Sequence, residues 1–113
     1  MVYINSTVFG SITIDNQTYG DDIIILADGT IEKRGLQKGT YIICLEEVNI
    51  LFESKPKIIV IGTGQSGVAE IEPKVVEKAK KLGIKIIEAP TLIAIKKFNS
   101  IKEKKAGLFH LAC

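Results

Sequence analysis

Residues 62–67 read Gly-Thr-Gly-Gln-Ser-Gly, the G-x-G-x-x-G spacing by which a glycine turn and the helix after it cradle a pyrophosphate. They follow Ile58-Ile59-Val60-Ile61, a β-branched run suited to a strand buried on both faces. Glu88 stands about 20 residues beyond Gly67, where the same fingerprint places the carboxylate that holds a ribose hydroxyl. Two features oppose a dinucleotide. Pro73 belongs in a first helical turn and holds Glu72 outside it, so the helix starts well after Gly67 and its free N–H groups miss the glycine loop. Glu70 and Glu72 also put negative charge where phosphates would lie, and only one further strand follows Glu88, too little for a two-halved crevice. The expectation is therefore no NAD, no NADP and no other cofactor. Gly62 and Gly64 then serve a tight exit from a buried strand, with positive φ at one of them.

A second candidate pair is His110 with Cys113. In a strand running to residue 113 they alternate: Leu108, His110 and Ala112 face one way, Phe109, Leu111 and Cys113 the other. A Cys–His nucleophile is excluded on that geometry, and His110 has no metal-spaced partner, so no metal site and no catalytic residue are assigned. His110 reads as a hydrogen-bonded structural histidine. Cys44 and Cys113, far apart and outside any C-x-x-C, read as free thiols in a reducing compartment. Asn99, beside Phe98, can satisfy a backbone group of a loop or sheet edge.

The elements that must position these residues fall into two halves. Before residue 45 the pattern is of strands: Ile12 and Ile14 alternate with polar neighbours before an Asp15-Asn16 turn, Ile23 to Leu26 precedes an Asp28-Gly29 hairpin, and Tyr41 to Cys44 is a further candidate. Leu45, Val48, Leu51 and Phe52 then recur at helical spacing up to Lys55-Pro56. From residue 58 strand and helix alternate. Strand 58–61, an amphipathic helix Pro73 to Leu82 with Val75, Val76, Ala79 and Leu82 inward and Gly83 as C-cap, and strand 84–87 form a βαβ unit. Thr91 is expected to cap a helix with the stripe Ala94, Ile95, Phe98 and Ile101, and Gly107 to Leu111 to close the chain as a strand.

The carboxyl ends of strands 58–61 and 84–87 define the candidate ligand crevice. They present Thr63, Gly64, Gln65 and Ser66 from one strand and Glu88 and Thr91 from its neighbour, with a helix N-terminus to attract anions. Glu88 could act as a lone acid or base, but without a nucleophile, second acid or metal no reaction follows.

The 113-residue chain fits one domain, and its 46% apolar and 25% charged content is that of a globular protein. A net charge of +2, acids spread throughout and a single arginine, Arg34, argue against nucleic acid; Lys96, Lys97, Lys102, Lys104 and Lys105 read as a solvated face. No basic n-region with an apolar h-region opens the chain, and no run approaches the roughly 20 residues that span a bilayer. A soluble cytoplasmic chain with no membrane partner is expected.

Taken together, "IGTG" after a buried strand, "LGIKIIEAPT" leading into a helix with Phe98-Asn99, the close "LFHLAC" and the opening "FGSITIDNQTYGDDIIILADGTIEKR" resemble the Mth-type domain family of unknown function over nearly the whole chain. Its relatives include an adipogenesis-associated Mth-type protein and a mitochondrial respiratory complex I assembly factor. The resemblance implies a three-layer α/β fold with a mixed, about five-stranded sheet and no established enzymatic activity. It marks Gly62, Gly64, Thr91, Phe98, Asn99, His110 and Cys113 as family-like. Ala112 departs from the family's usual threonine, and segment 36–44 lacks a tryptophan and histidine that many members carry. The expected function is a non-enzymatic, assembly-factor-like interaction module with a protein partner. The alternative is a binder of a small anionic ligand, or an enzyme acting on one, at the strand-end crevice.

Overall fold

The computed structural model describes residues 2–34 and 41–112. In chain order the elements are β1 (Ile4–Val8), β2 (Ser11–Ile14), β3 (Gln17–Tyr19), β4 (Ile23–Ile25), β5 (Ile31–Lys33), β6 (Ile42–Ile43), α1 (Leu45–Glu53), β7 (Ile58–Thr63), β8 (Glu70–Ile71), α2 (Pro73–Leu82), β9 (Lys85–Ala89), α3 (Thr91–Ser100) and β10 (Lys105–His110). The central sheet is five-stranded in the order β5-β4-β10-β7-β9. β10 runs parallel to β7 and antiparallel to β4, which makes the sheet mixed; β9 continues the parallel half at the edge.

Alternation along β7 divides the core. Ile58 and Val60 join Ile4, Ile12, Ile14, Ala94, Ile95 and Phe98 on one face, under α3 and the β1-β2-β3 meander. Ile59 and Ile61 join Val48, Leu51, Phe52, Val75 and Ala79 on the other, under α1 and α2. Every residue of β7 is buried, as the β-branched run requires. The result is three layers around one mixed sheet. The two crossovers, β7-α2-β9 and β9-α3-β10, step in opposite directions along the sheet and put their helices on opposite faces, as a shared crossover hand demands.

Local chemistry accounts for the turns. Asp15 and Asn16 both take positive φ, 48° and 68°, the twist a two-residue hairpin loop needs between Ile14 and Gln17. Pro73 starts α2 and Gly83, at φ 71°, ends it.

Several expectations are corrected. Leu82, the last residue of α2, is 52% exposed, and Val76 is only half buried beside Val75. Pro90, not Thr91, is the N-cap of α3; Thr91 is already helical and its hydroxyl turns inward. Ile101 is the C-cap with extended backbone, yet it still packs against the core cluster of Ala94, Ile95 and Phe98. The last strand is Lys105–His110, set by its register on β7. The strand expected at residues 41–44 shrinks to β6, paired in parallel with β8. Cys113 lies outside the described residues, as does most of segment 36–44.

Candidate functional site

The loop leaving β7 folds directly onto the first turn of α3. Gly64 N–H donates to Thr91 Oγ1 at 2.9 Å, and Thr91 N–H donates back to Gly64 O at 2.9 Å. The Thr91 hydroxyl in turn donates to His110 O at 2.5 Å, so one fully buried oxygen ties β7, α3 and β10 together. Gly62 allows this approach: a Cβ there would stand 2.8 Å from Thr91 Oγ1, 3.1 Å from the Phe109 ring and 3.2 Å from Thr91 Cα. Gly64, at φ 103°, then turns the chain in a conformation that L side chains rarely adopt.

The rest of the loop is also committed. Gln65 Nε2 donates to Thr7 Oγ1 and to Val8 O, both at 3.2 Å, and Gln65 N–H to Ala112 O at 3.3 Å. Gly67 takes φ 70°, a Cβ on it would stand 3.0 Å from Pro90 Cγ, and its N–H donates to Gly64 O. Thr63 is buried, and its carbonyl accepts from Ala69 N–H at 2.9 Å. The structure thus brings Thr63, Gly64, Gln65 and Thr91 together, but as a packed seam. Ser66 is exposed beside it; Glu88 is exposed on the edge strand opposite Ile61, its side chain with no hydrogen bond or ion pair among the described residues. The helix after the glycines, α2, begins only after β8, and the N–H groups of Thr91, Ile93 and Ala94 at the start of α3 are already spent on carbonyls.

Behind the seam runs a buried ionic network. His110 Nδ1 lies 2.7 Å from Asp22 Oδ2, and Asp22 Oδ1 accepts from Leu111 N–H at 2.8 Å. Arg34 donates to Asp22 at 2.9 Å, to both oxygens of Glu47 and to Ile42 O at 3.1 Å. Glu47 also accepts from Cys44 N–H at 3.0 Å, joining the start of α1. Burial works against the Arg34 charge, yet Glu47 and Asp22 outweigh it and hold its pKa above the ordinary value. Burial pushes the Glu47 carboxyl up, and Arg34 with the Cys44 N–H pulls it net below its ordinary value. Burial raises the Cys44 thiol, the wrong direction for a nucleophile. Among the described residues no three His, Cys, Asp or Glu side chains are grouped to hold a metal.

Residues 4–109 match the family described as protein of unknown function (DUF498/DUF598). The chain belongs to this family. Several solved structures share the fold. "MT938" is 27% identical with a TM-score of 0.82 over 100% of both chains. The conserved hypothetical protein PH1505 from Pyrococcus horikoshii OT3 is 24% identical with a TM-score of 0.87, over 97% of this chain and 98% of that one. A Mth938-like domain from Bordetella pertussis, solved in solution by NMR, is 13% identical with a TM-score of 0.70, over 96% of this chain and 85% of that one.

Against the DUF498/DUF598 fold the family-like residues take structural places. Phe98 is buried with its ring edge-on to Phe109, 5.6 Å between centroids at 87°, a burial that contributes about 1.5–3 kcal/mol. Asn99 accepts from Ile4 N–H at 2.9 Å and donates to Ile4 O at 2.8 Å, clamping β1 to α3. Ala112 contributes its carbonyl, which any residue supplies. Asp22, Arg34 and Glu47 escaped the sequence reading. The one available signal was that the chain's single arginine precedes a glycine-bounded segment, in a chain otherwise supplied with lysine.

Around the seam, five large apolar side chains stay in solvent. Val8 and Phe9 stand at the β1-β2 turn, which Gln65 holds through Val8 O; Phe9 is 72% exposed. Val68 belongs to the loop itself, and Leu92 and Ile93 to the first turn of α3, beside the Pro90 that Gly67 touches. No helix of the described residues is long and apolar enough to cross a membrane.

Proposed function

We propose that this protein is a non-enzymatic interaction module that docks a protein partner on the strand-end pole. One observation supports the reading: Thr91, Gly64 and Gln65, at the carboxyl ends of these strands, are engaged in hydrogen bonds within the chain, while Val8, Phe9, Val68, Leu92 and Ile93 around them are exposed. Lys96 and Lys97 follow Ile93 by three and four positions on the exposed side of α3 and carry no ion pair among the described residues. A matching partner presents apolar side chains flanked by carboxylates. An assembly-factor role, in which the module holds a subunit rather than transforming a metabolite, fits that surface.

Affinity capture from extract of the source cell tests this with two proteins, the natural chain and a Phe9→Ser/Ile93→Ser variant of verified fold. The expected result is a defined protein retained in stoichiometric amount by the natural chain and lost by the variant. Equal retention by both would move the docking surface elsewhere. A co-purified nucleotide, or calorimetric binding of NAD or NADP well below millimolar, would overturn the reading.

A further inference from the structure

The end of the central sheet where β7 and β10 begin carries a groove of about 450 Å³, remote from the strand-end seam. That volume is in the range of small-molecule pockets, roughly 300–1,000 Å³. The half-buried Val2, Leu26 and Ala27 give it an apolar side, with Ile25 and Phe98 buried beneath, and Lys105 stands in its wall. The Lys105 ammonium is half buried. It donates to Phe98 O and, at 3.0 Å, to Ile101 O, and lies 4.4 Å from the centroid of the Phe98 ring. An ammonium has three N–H donors, and these two carbonyls take two. No carboxylate pairs with Lys105 among the described residues. Burial accordingly pushes its pKa down: the positive charge lacks a counter-anion, although the helix-end carbonyls and the ring face ease its presence.

The rim sets the sign and number of charges a ligand can bring. Asp15 and Asp28 line the groove with carboxylates fixed by backbone N–H groups, of Tyr3 at 3.0 Å and Thr30 at 2.9 Å. With Glu103 they balance Lys102, Lys104 and Lys105, so a polyphosphate would meet as much repulsion as attraction.

We propose that this groove binds a small amphipathic monoanion, a short-chain carboxylate whose tail lies on Val2, Leu26 and Ala27 and whose head accepts the remaining N–H of Lys105. The ligand supplies the missing counter-charge and covers apolar surface in one step. This site is independent of the docking pole.

Amide-resolved NMR titration of the whole chain with octanoate, 1-octanol and inorganic triphosphate tests the proposal. Octanoate is expected to produce saturable shifts at Leu26, Ala27 and Gly29. It should bind about tenfold more tightly than the neutral alcohol, the scale of one charge-assisted hydrogen bond. Triphosphate should not displace it. In Lys105→Met the preference for the carboxylate should vanish while the alcohol's shifts persist. Since that variant also loses two bonds to α3, the comparison of octanoate with octanol on the natural chain decides alone if it fails to fold. Absence of saturable shifts, equal affinity for acid and alcohol, displacement by triphosphate, or shifts confined to Val8, Phe9 and Leu92 would overturn the proposal, as would a carboxylate preference that survives in Lys105→Met.

Discussion

Gly62→Ala introduces one methyl group at the tightest point of the seam. Its Cβ would stand 2.8 Å from Thr91 Oγ1, 3.1 Å from Phe109 Cδ1 and 3.2 Å from Thr91 Cα, and two of these three neighbours are held by backbone or a fully buried ring. Overpacking of this kind costs about 1–3 kcal/mol. The only neighbour that can yield is the Thr91 side chain, and rotating it away breaks its bonds to Gly64 N–H and His110 O, adding about 1 kcal/mol or more. A total of about 2–4 kcal/mol follows, readable as a lower urea midpoint at unchanged slope. Thr91→Ala alone should cost about 1–3 kcal/mol, since it takes the hydroxyl acceptor from the buried Gly64 N–H and removes the bond to His110 O. In the double variant the 2.8 Å contact no longer exists, so the two costs should fall short of their sum by about 1–2 kcal/mol. Additivity within about 0.5 kcal/mol, or a Gly62→Ala cost below about 0.5 kcal/mol, would refute the claim that Gly62 is present for the approach of Thr91.

Gln65→Ala should lower the thermal midpoint by a few degrees, because each of its two side-chain bonds contributes about 0.5–1.5 kcal/mol, while Glu88→Gln, on an exposed edge without partners, should change stability by less than about 0.5 kcal/mol. Calorimetric scans of both variants check this, and an unchanged or raised midpoint for Gln65→Ala would return that residue to the list of groups kept for binding. The pH dependence follows from Glu47, whose folded pKa lies below the ordinary 4.5. A depressed carboxyl contributes its full stability above the unfolded value and loses it as pH falls through the folded one. Urea midpoints measured from neutral pH to about pH 3 should therefore show the stability gap between the natural chain and Glu47→Gln closing on acidification; a constant gap would count against the Arg34–Glu47 pair as its source.

What the sequence determined by itself is what adjacent residues decide among themselves. Ile58 to Ile61 can only be a strand buried on both sides, Pro73 and Gly83 bound a helix whatever surrounds them, and Asp15-Asn16 accepts the positive φ of a tight hairpin. Even the delay between Gly67 and α2 was legible from Pro73 alone. The family likeness was legible too, through short segments whose spacing the fold preserves. What only the tertiary structure decided are contacts between residues remote in sequence. Thr91 looks like an N-cap from its neighbours, yet its hydroxyl is claimed by Gly64 and His110. Gln65 and Thr7 are 58 residues apart, and Asp22 and His110 are 88 apart, so no local pattern encodes either bond. What the strand ends contact depends on such distant partners: here Gln65 bonds to β1 and Gly64 to α3. Lys105, one lysine among many in the sequence, becomes distinct only because α3 ends its carbonyls and Phe98 against it in a groove where no described carboxylate pairs with it.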